Sequence, residues 1–318
     1  MGCKYIETQI SRHGMNIFED LKLLLHYVEI IKKVKADVVL TYTIKPNIYG
    51  GIACRILNVP YIANITGLGT AVENKGILQK VTTMLYRIAF KNIRCVFFQN
   101  KENQQFFINN NIAVNKARLV PGSGVNLDHF YVLDYPSDDT TEFVFISRIM
   151  KEKGIEQYLE AAEYIKSIYP NTHFHICGFC EEDYYNRLEE MQSKGIIRYH
   201  GMLQDVREIF KITHCTIHPT YYPEGISNVL LESAACGRPV ITTDRSGCRE
   251  IVDNGVNGYL VKQRDTLDLI EKIEMFLKLP HEKKEHMGLA GRLKVEKYFD
   301  RQIVVDAYID EIKEITKK

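Results

Sequence analysis

Short apolar runs alternate with helix-period segments along most of this chain. In the first half, 37–42, 61–65 and 95–99 read as strands, and 48–57, 77–90 and 101–109 read as helices. The run Arg118-Leu-Val-Pro-Gly-Ser-Gly closes this series. Residues 131–141 are polar and contain proline, which predicts a linker. A second series follows, with strands at 142–147, 173–177, 197–200, 215–218, 240–243 and 258–261. Its helices fall at 155–168, 182–194, 205–211, 227–235 and 267–277, and the tail 281–317 is helical with a break near Phe299 and Asp300. This alternation predicts an α/β protein of two parallel-sheet, Rossmann-like domains with covering helices. The expected bounds are 1–135 and 136–298, with 299–318 packing back on the first domain. The first series opens on Tyr5 to Ile10, read as a late strand or its edge. A doubly wound domain ordinarily begins with a core strand and a ligand-facing loop, so the first domain is expected to lack its opening strand–helix unit.

Composition narrows the function. A chain of 318 residues suggests two domains, and 45% hydrophobic with 25% charged residues is the balance of a globular protein. A net charge of +1 supplies no global field for nucleic acid. No apolar run reaches membrane-span length, and the first residues carry neither a signal-peptide apolar region nor, with Ile6, a myristoylation pattern. The eight cysteines lack a disulfide rhythm, which predicts reduced thiols in a cytoplasm. Cys177 and Cys180 have redox or zinc spacing without a second pair, so no metal site is expected. Gly122-Ser-Gly124 lacks the third glycine of a dinucleotide fingerprint, which weighs against a dehydrogenase.

Two constellations carry chemistry. Glu224 and Glu232 bracket the stretch Glu-Gly-Ile-Ser-Asn-Val-Leu-Leu-Glu. Gly225 allows close backbone approach, and a helix from about Ile226 offers unpaired N–H groups to an anion. Eight residues is a little over two helical turns, so Glu232 is expected near the azimuth of the helix start. Arg148 and Lys153 form a cationic loop after a buried-type strand, where α/β sheets collect ligands. The plain alternatives are a helix cap with a surface glutamate, and a solvated basic turn.

Together these residues resemble the retaining glycosyltransferases of family 4, which have the GT-B fold. The matching elements are Ser147-Arg148 with Lys153-Gly154, Cys177-Gly178, Tyr199-His200-Gly201, His218-Pro219 with Glu224-Gly225, Leu231-Glu232 with Gly237-Arg238-Pro239-Val240, and Gly247 with Glu250 through Gly258. Thr41 to Asn47, Thr66-Gly67-Leu68-Gly69 and Pro121 to Asn126 look like the branch that extends lipid-linked bacterial surface glycans. The resemblance implies two domains facing a cleft, and catalysis by Arg148, Lys153 and Glu224. The first two would hold the donor diphosphate, and Glu224 would contact the donor sugar. Backbone N–H groups of Ile226, Ser227 and Asn228 would touch sugar or phosphate, beside Gly225. Glu232 would take the ribose, and the base would sit near Gly178, Met202 and Leu203. A nucleotide sugar, expected to be UDP-linked, is then the co-substrate, with no cofactor and no metal. Where many relatives carry a histidine after the strand matched by 61–65, this chain has Asn64-Ile65-Thr66-Gly67, so Thr66 and Gly67 are the acceptor-side candidates.

The expected acceptor is a polyprenyl-diphosphate-linked glycan of capsule, O-antigen or exopolysaccharide synthesis. Lys75, Lys80, Arg87, Lys91, Arg94 and Lys101 form a segment without acidic residues, expected to meet an anionic membrane surface from the cytoplasmic side. Within it, Leu78, Val81, Leu85, Ile88 and Ala89 are expected to share an inward helix face, with Tyr86 and Phe90 nearby. The competing readings are a donor-binding, non-catalytic subunit or inactive fragment that needs a partner chain, and another GT-B enzyme such as a sugar-nucleotide epimerase.

Overall fold

The computed structural model describes residues 2–8, 10, 16–69, 72 and 76–317. They form two compact units, one of Met1–Val120 with Asp306–Lys318, the other of Pro121–Val305.

In the first unit, β1 (Val39–Tyr42), β2 (Tyr61–Ile65), β3 (Cys95–Phe98) and β4 (Ala117–Leu119) pair in chain order, all parallel. Residues 2–8 and 10 form no strand, and Gln9 of the expected opening strand lies outside the described residues. What precedes β1 is instead a helix, α1 (Ile17–Val34). Asn16 caps it, its Oδ1 accepting from the N–H groups of Phe18 (3.1 Å) and Glu19 (3.5 Å), and a left-handed Lys35 ends it. Buried Ile31 of α1 joins Ala53 of α2 (Gly51–Leu57), Tyr86 of α3 (Ile77–Ala89) and Phe107 of α4 (Lys101–Asn109) on one face of the sheet. On the other face, Ile62, Cys95, Phe97 and Val120 lie under Ala307, Tyr308, Ile312 and Ile315 of the last helix.

The inward face of α3 differs in part from the expectation: Ala89, Tyr86 and Phe90 are buried and Leu85 packs against the core, but Leu78 and Ile88 do not turn inward. Thr82, Thr83, Tyr86 and Ala89 are buried, whereas Leu78 and Ile88 are exposed, as are Ile77 and Met84. The reason is aromatic packing: the Tyr86 ring lies 5.2 Å from that of Phe90 and 5.0 Å from that of Phe107, which turns the Tyr86 side of the helix inward.

In the second unit the sheet contains β5 (Thr141–Ile146), β6 (Thr172–Cys177), β7 (Ile197–Tyr199), β8 (Cys215–His218), β9 (Val240–Thr243) and β10 (Gly258–Val261). Its order is β10-β9-β8-β5-β6-β7, all parallel. Chain order therefore reverses between β5 and β8, and ligands of such sheets bind outside the carboxyl ends at that switch point. Both faces are buried: Phe143 and Phe145 pack with Leu159 of α5 (Ile155–Ile168) and Leu188 of α6 (Tyr185–Ser193), and Val144 packs with Phe210 of α7 (Arg207–Phe210) and with Leu230 and Leu231.

The boundaries fall elsewhere than at 135/136 and 298/299. Residues 121–135 belong to the second unit because Phe130 and Leu133 sit in its core, and Leu133 N–H donates to the Cys236 carbonyl at 3.2 Å. Arg238, 1% exposed, fastens the same stretch by donating to the carbonyls of Leu133 (3.1 Å), Asp134 (2.6 Å) and Phe210 (2.7 Å). At the other end the division falls inside a helix (Arg301–Thr316), between Val305 and Asp306. The Arg301 N–H still donates to Val125 at 3.0 Å, whereas Tyr308 onward covers the first sheet.

Candidate active site

Two loops at the switch point of the second unit converge on one pair. After β5, Arg148 precedes a single 3-10 turn, Lys151–Lys153, which Gly154 closes at φ +80°. After β8, residues 219–227 run without helix to α8 (Asn228–Ala235). The first loop lies on the second: Tyr221 N–H donates to Glu152 O at 2.9 Å, and Thr220 Oγ1 to the same oxygen at 3.3 Å. This contact delivers the buried Lys153 ammonium directly onto Glu224 Oε1. The Tyr222 ring lies beneath both cations, 4.8 Å from Lys153 Nζ and 5.3 Å from Arg148 Cζ, and Arg148 pairs with Glu181. Burial, and then the neighbouring Arg148 charge, lower Lys153 to about 8, so at neutral pH it is a desolvated ammonium.

Ser227 stands at the N-cap of α8 without a side-chain cap bond, and its own N–H donates to Gly247 O at 2.8 Å. Gly225, Ile226 and Ser227 are buried, and Asn228 is exposed. The helix begins at Asn228 rather than Ile226, so Glu224 precedes it and the eight-residue spacing to Glu232 is not a helical one. Glu232, on α8, is half-buried, and its carboxyl is pushed up to about 7 by burial, against the pull of Arg301. A carboxyl raised in the fold lends stability that is whole below its ordinary pKa and is lost as pH rises through about 7. Glu232→Gln should therefore unfold at the wild-type temperature near pH 4 and above it at pH 8.5. Thermal unfolding at the two values checks this; parallel midpoints would refute it.

A recess of about 200 Å³ at the ends of β5 and β6 is lined by Ser147, Arg148, Gly178, Met202 and Leu203 among others. Gly178 N–H donates to Gly201 O at 2.7 Å, and a Cβ on Gly178 would stand 1.8 Å from Ser147 O, so only glycine keeps these strand ends together. The fold thus brings Arg148, Lys153 and Glu224 together, and sets Gly178, Met202 and Leu203 around a recess that shares Arg148. Thr66 and Gly67 follow β2 in the first unit, both half-buried.

Sequence reasoning assigned no role to Glu181, to Tyr222 as the floor beneath the cations, or to Ser123. Ser123 Oγ donates to Asn228 Oδ1 at 2.8 Å, and a Cβ on Gly122 would meet Ile226 Cβ at 2.7 Å. The Gly-Ser-Gly turn was the available signal, since such a turn marks close backbone approach.

The family profile described as glycosyl transferases group 1 matches residues 135–294, half of the chain, and a glycosyl transferase 4-like profile matches residues 1–100. The chain is a group 1 glycosyltransferase. Among its relatives, the N,N'-diacetylbacillosaminyl-diphospho-undecaprenol alpha-1,3-N-acetylgalactosaminyltransferase of Campylobacter jejuni is 26% identical, over 97% of this chain and 85% of that one. The UDP-Gal:alpha-D-GlcNAc-diphosphoundecaprenol alpha-1,3-galactosyltransferase of Escherichia coli is 25% identical, over 79% and 69%. HepE of Anabaena, solved with UDP, superposes with a TM-score of 0.79 at 17% identity, covering 92% of this group 1 chain and 82% of its own. A glycosyltransferase from Rickettsia africae superposes at 0.78 and 21% identity, covering 98% and 85%. These likenesses give the fold class, GT-B, with its two Rossmann-like units.

Proposed function

We propose that this glycosyltransferase moves a hexose or N-acetylhexosamine from a UDP-sugar to a polyprenyl-diphosphate-linked glycan, with retention and without a metal. The observation that carries this reading is the Lys153–Glu224 contact beside Arg148 at the sheet's switch point. Two cations at the carboxyl edge suit a diphosphate, and the charge that grows on the leaving nucleotide is stabilised by groups already in place. Glu224 then faces the donor sugar's hydroxyls, Glu232 the ribose, and the recess at Gly178, Met202 and Leu203 the base. Same-face attack within an ion-pair-like transition state gives retention. Support for the substrates comes from the names of the relatives: two act on diphospho-undecaprenol-linked sugars, one of them from UDP-Gal, and HepE was solved with UDP-glucose as well as UDP.

The test is a thermal shift against a panel of nucleotides and UDP-sugars, followed by transfer to lipid-linked acceptors. UDP should raise the unfolding temperature of the wild type and not that of Arg148→Ala. Binding without any transfer would select the non-catalytic reading, and no shift with any nucleotide would sink the donor site.

An acceptor anchored in lipid suggests where the enzyme works. Among the described residues no helix is long and apolar enough to cross a membrane. Exposed Ile77, Met84 and Ile88 share a stripe of α3 with Lys80 and Arg87, and exposed Lys91 follows the helix. Lys75 of the expected basic segment lies outside the described residues. Apolar and cationic side chains on one exposed face suit an anionic bilayer surface at the cytoplasmic side. Charge reversal at Lys80, Arg87 and Lys91 should abolish sedimentation with phosphatidylglycerol vesicles and leave UDP binding intact. Equal sedimentation of the variant would remove this surface from the proposal.

A further inference from the structure

We infer that His218 is a positioning residue for Glu224: its ring takes over that carboxylate when Lys153 turns to the donor's diphosphate. This rests on the roles given above to Lys153 and Glu224. His218 is the last residue of β8, at the switch point. Its main chain is fixed, because its carbonyl accepts from Thr242 Oγ1 at 2.7 Å and β8 pairs it in register with Thr242 of β9. The residue is 1% exposed, with the Phe145 ring centroid 6.3 Å from its own.

Neither ring nitrogen has a hydrogen-bond partner among the described residues. Buried polar atoms are nearly always paired, so a fully buried imidazole with both nitrogens idle calls for an explanation. The explanation lies one contact away. Nε2 stands 3.9 Å from Glu224 Oε1, the same oxygen that the Lys153 ammonium contacts. Closing that gap by about 1 Å makes an ordinary hydrogen bond. Burial and the Lys153 charge keep the ring neutral, and a neutral imidazole still carries one N–H to donate.

Charge accounting makes the exchange useful. A diphosphate arriving at Arg148 and Lys153 draws the ammonium away from Glu224. A largely buried carboxylate that loses a charged partner is destabilised unless another donor replaces it. His218 replaces it without adding a third positive charge to compete for the phosphates. Glu224 is then held by a neutral donor, in place for the sugar, in the donor-bound state and not before.

The experiment compares wild type, His218→Leu, which removes the N–H, and His218→Gln, which keeps a side-chain N–H. UDP affinity is measured by calorimetry, kcat and KM for donor hydrolysis by UDP release from UDP-glucose, UDP-galactose, UDP-GlcNAc and UDP-GalNAc, and folding by thermal unfolding. His218→Leu should bind UDP within about 3-fold of wild type, unfold no earlier, and lose about 10–100-fold in kcat with little change in KM. His218→Gln should recover part of that loss. Unchanged kcat in His218→Leu, an equal loss in both variants, or UDP affinity falling in step with kcat would overturn the inference. Should the Leu variant not fold, His218→Asn, whose amide is too short to reach Glu224, takes its place with the same expected outcomes. A wild type that neither binds UDP nor releases it from any of these donors overturns the underlying reading of the site. An active wild type with an equally active His218→Leu overturns the role of His218 alone.

Discussion

Glu224→Ala should lower transfer by about 10³-fold while changing UDP affinity only a few-fold. In the proposed reading Glu224 meets the donor through the sugar, and its ion pair with Lys153 restrains that lysine from the phosphates. Removing the carboxylate therefore frees a cation for UDP even as it strips the sugar of its partner. Arg148→Ala should behave differently, weakening UDP binding and turnover together, because its guanidinium sits beside the recess and over Tyr222. The two variants separate ground-state from transition-state binding, read as KM against kcat. Equal and mild effects from both would show that neither residue touches the donor.

A single methyl group at Gly154 should do comparable damage through the backbone. Gly154 has φ +80°, a region L side chains rarely adopt, and a Cβ there would stand 2.2 Å from the Pro219 carbonyl oxygen. That neighbour is main chain and cannot rotate aside. Left-handed strain and the clash together should cost about 3 kcal/mol or more in Gly154→Ala. The relief available is for the 151–154 turn to lift off 219–221, which would part Lys153 from Glu224 and abolish the UDP-induced thermal shift. An Ala variant with wild-type unfolding temperature and UDP response would show that the two loops are not held together as described.

The second unit was legible in sequence because parallel strands buried on both faces read as unbroken apolar runs, such as Phe143 to Ile146, punctuated by glycine turns. The Lys153–Glu224 pair was not, since its members are 71 positions apart. They meet because β5 lies beside β8, and periodicity carries no information on strand order. The helix α1 escaped notice because exposed Ile17, Phe18, Leu21 and Leu25 blur its apolar period. Its start was written in Asn16 with Glu19 three positions on, a capping pattern that periodicity overlooks. On α3 the inward face is centred on Tyr86 rather than on Leu78 and Ile88, because Phe90 and Phe107 receive its ring, a contact that periodicity does not show.

The way the first unit is closed sets an order of events in the cell. Its sheet is covered on one face by residues from Asp306 onward, which the ribosome makes only after the whole second unit. Until then a nascent chain carries Ile62 and Phe97 uncovered while the second unit is free to fold. Domains generally mature in the order they are synthesised, and bare apolar sheet invites association with other chains. Here the segment that begins first is finished last, so one face of the first sheet stays bare for the whole interval in which the second unit is made.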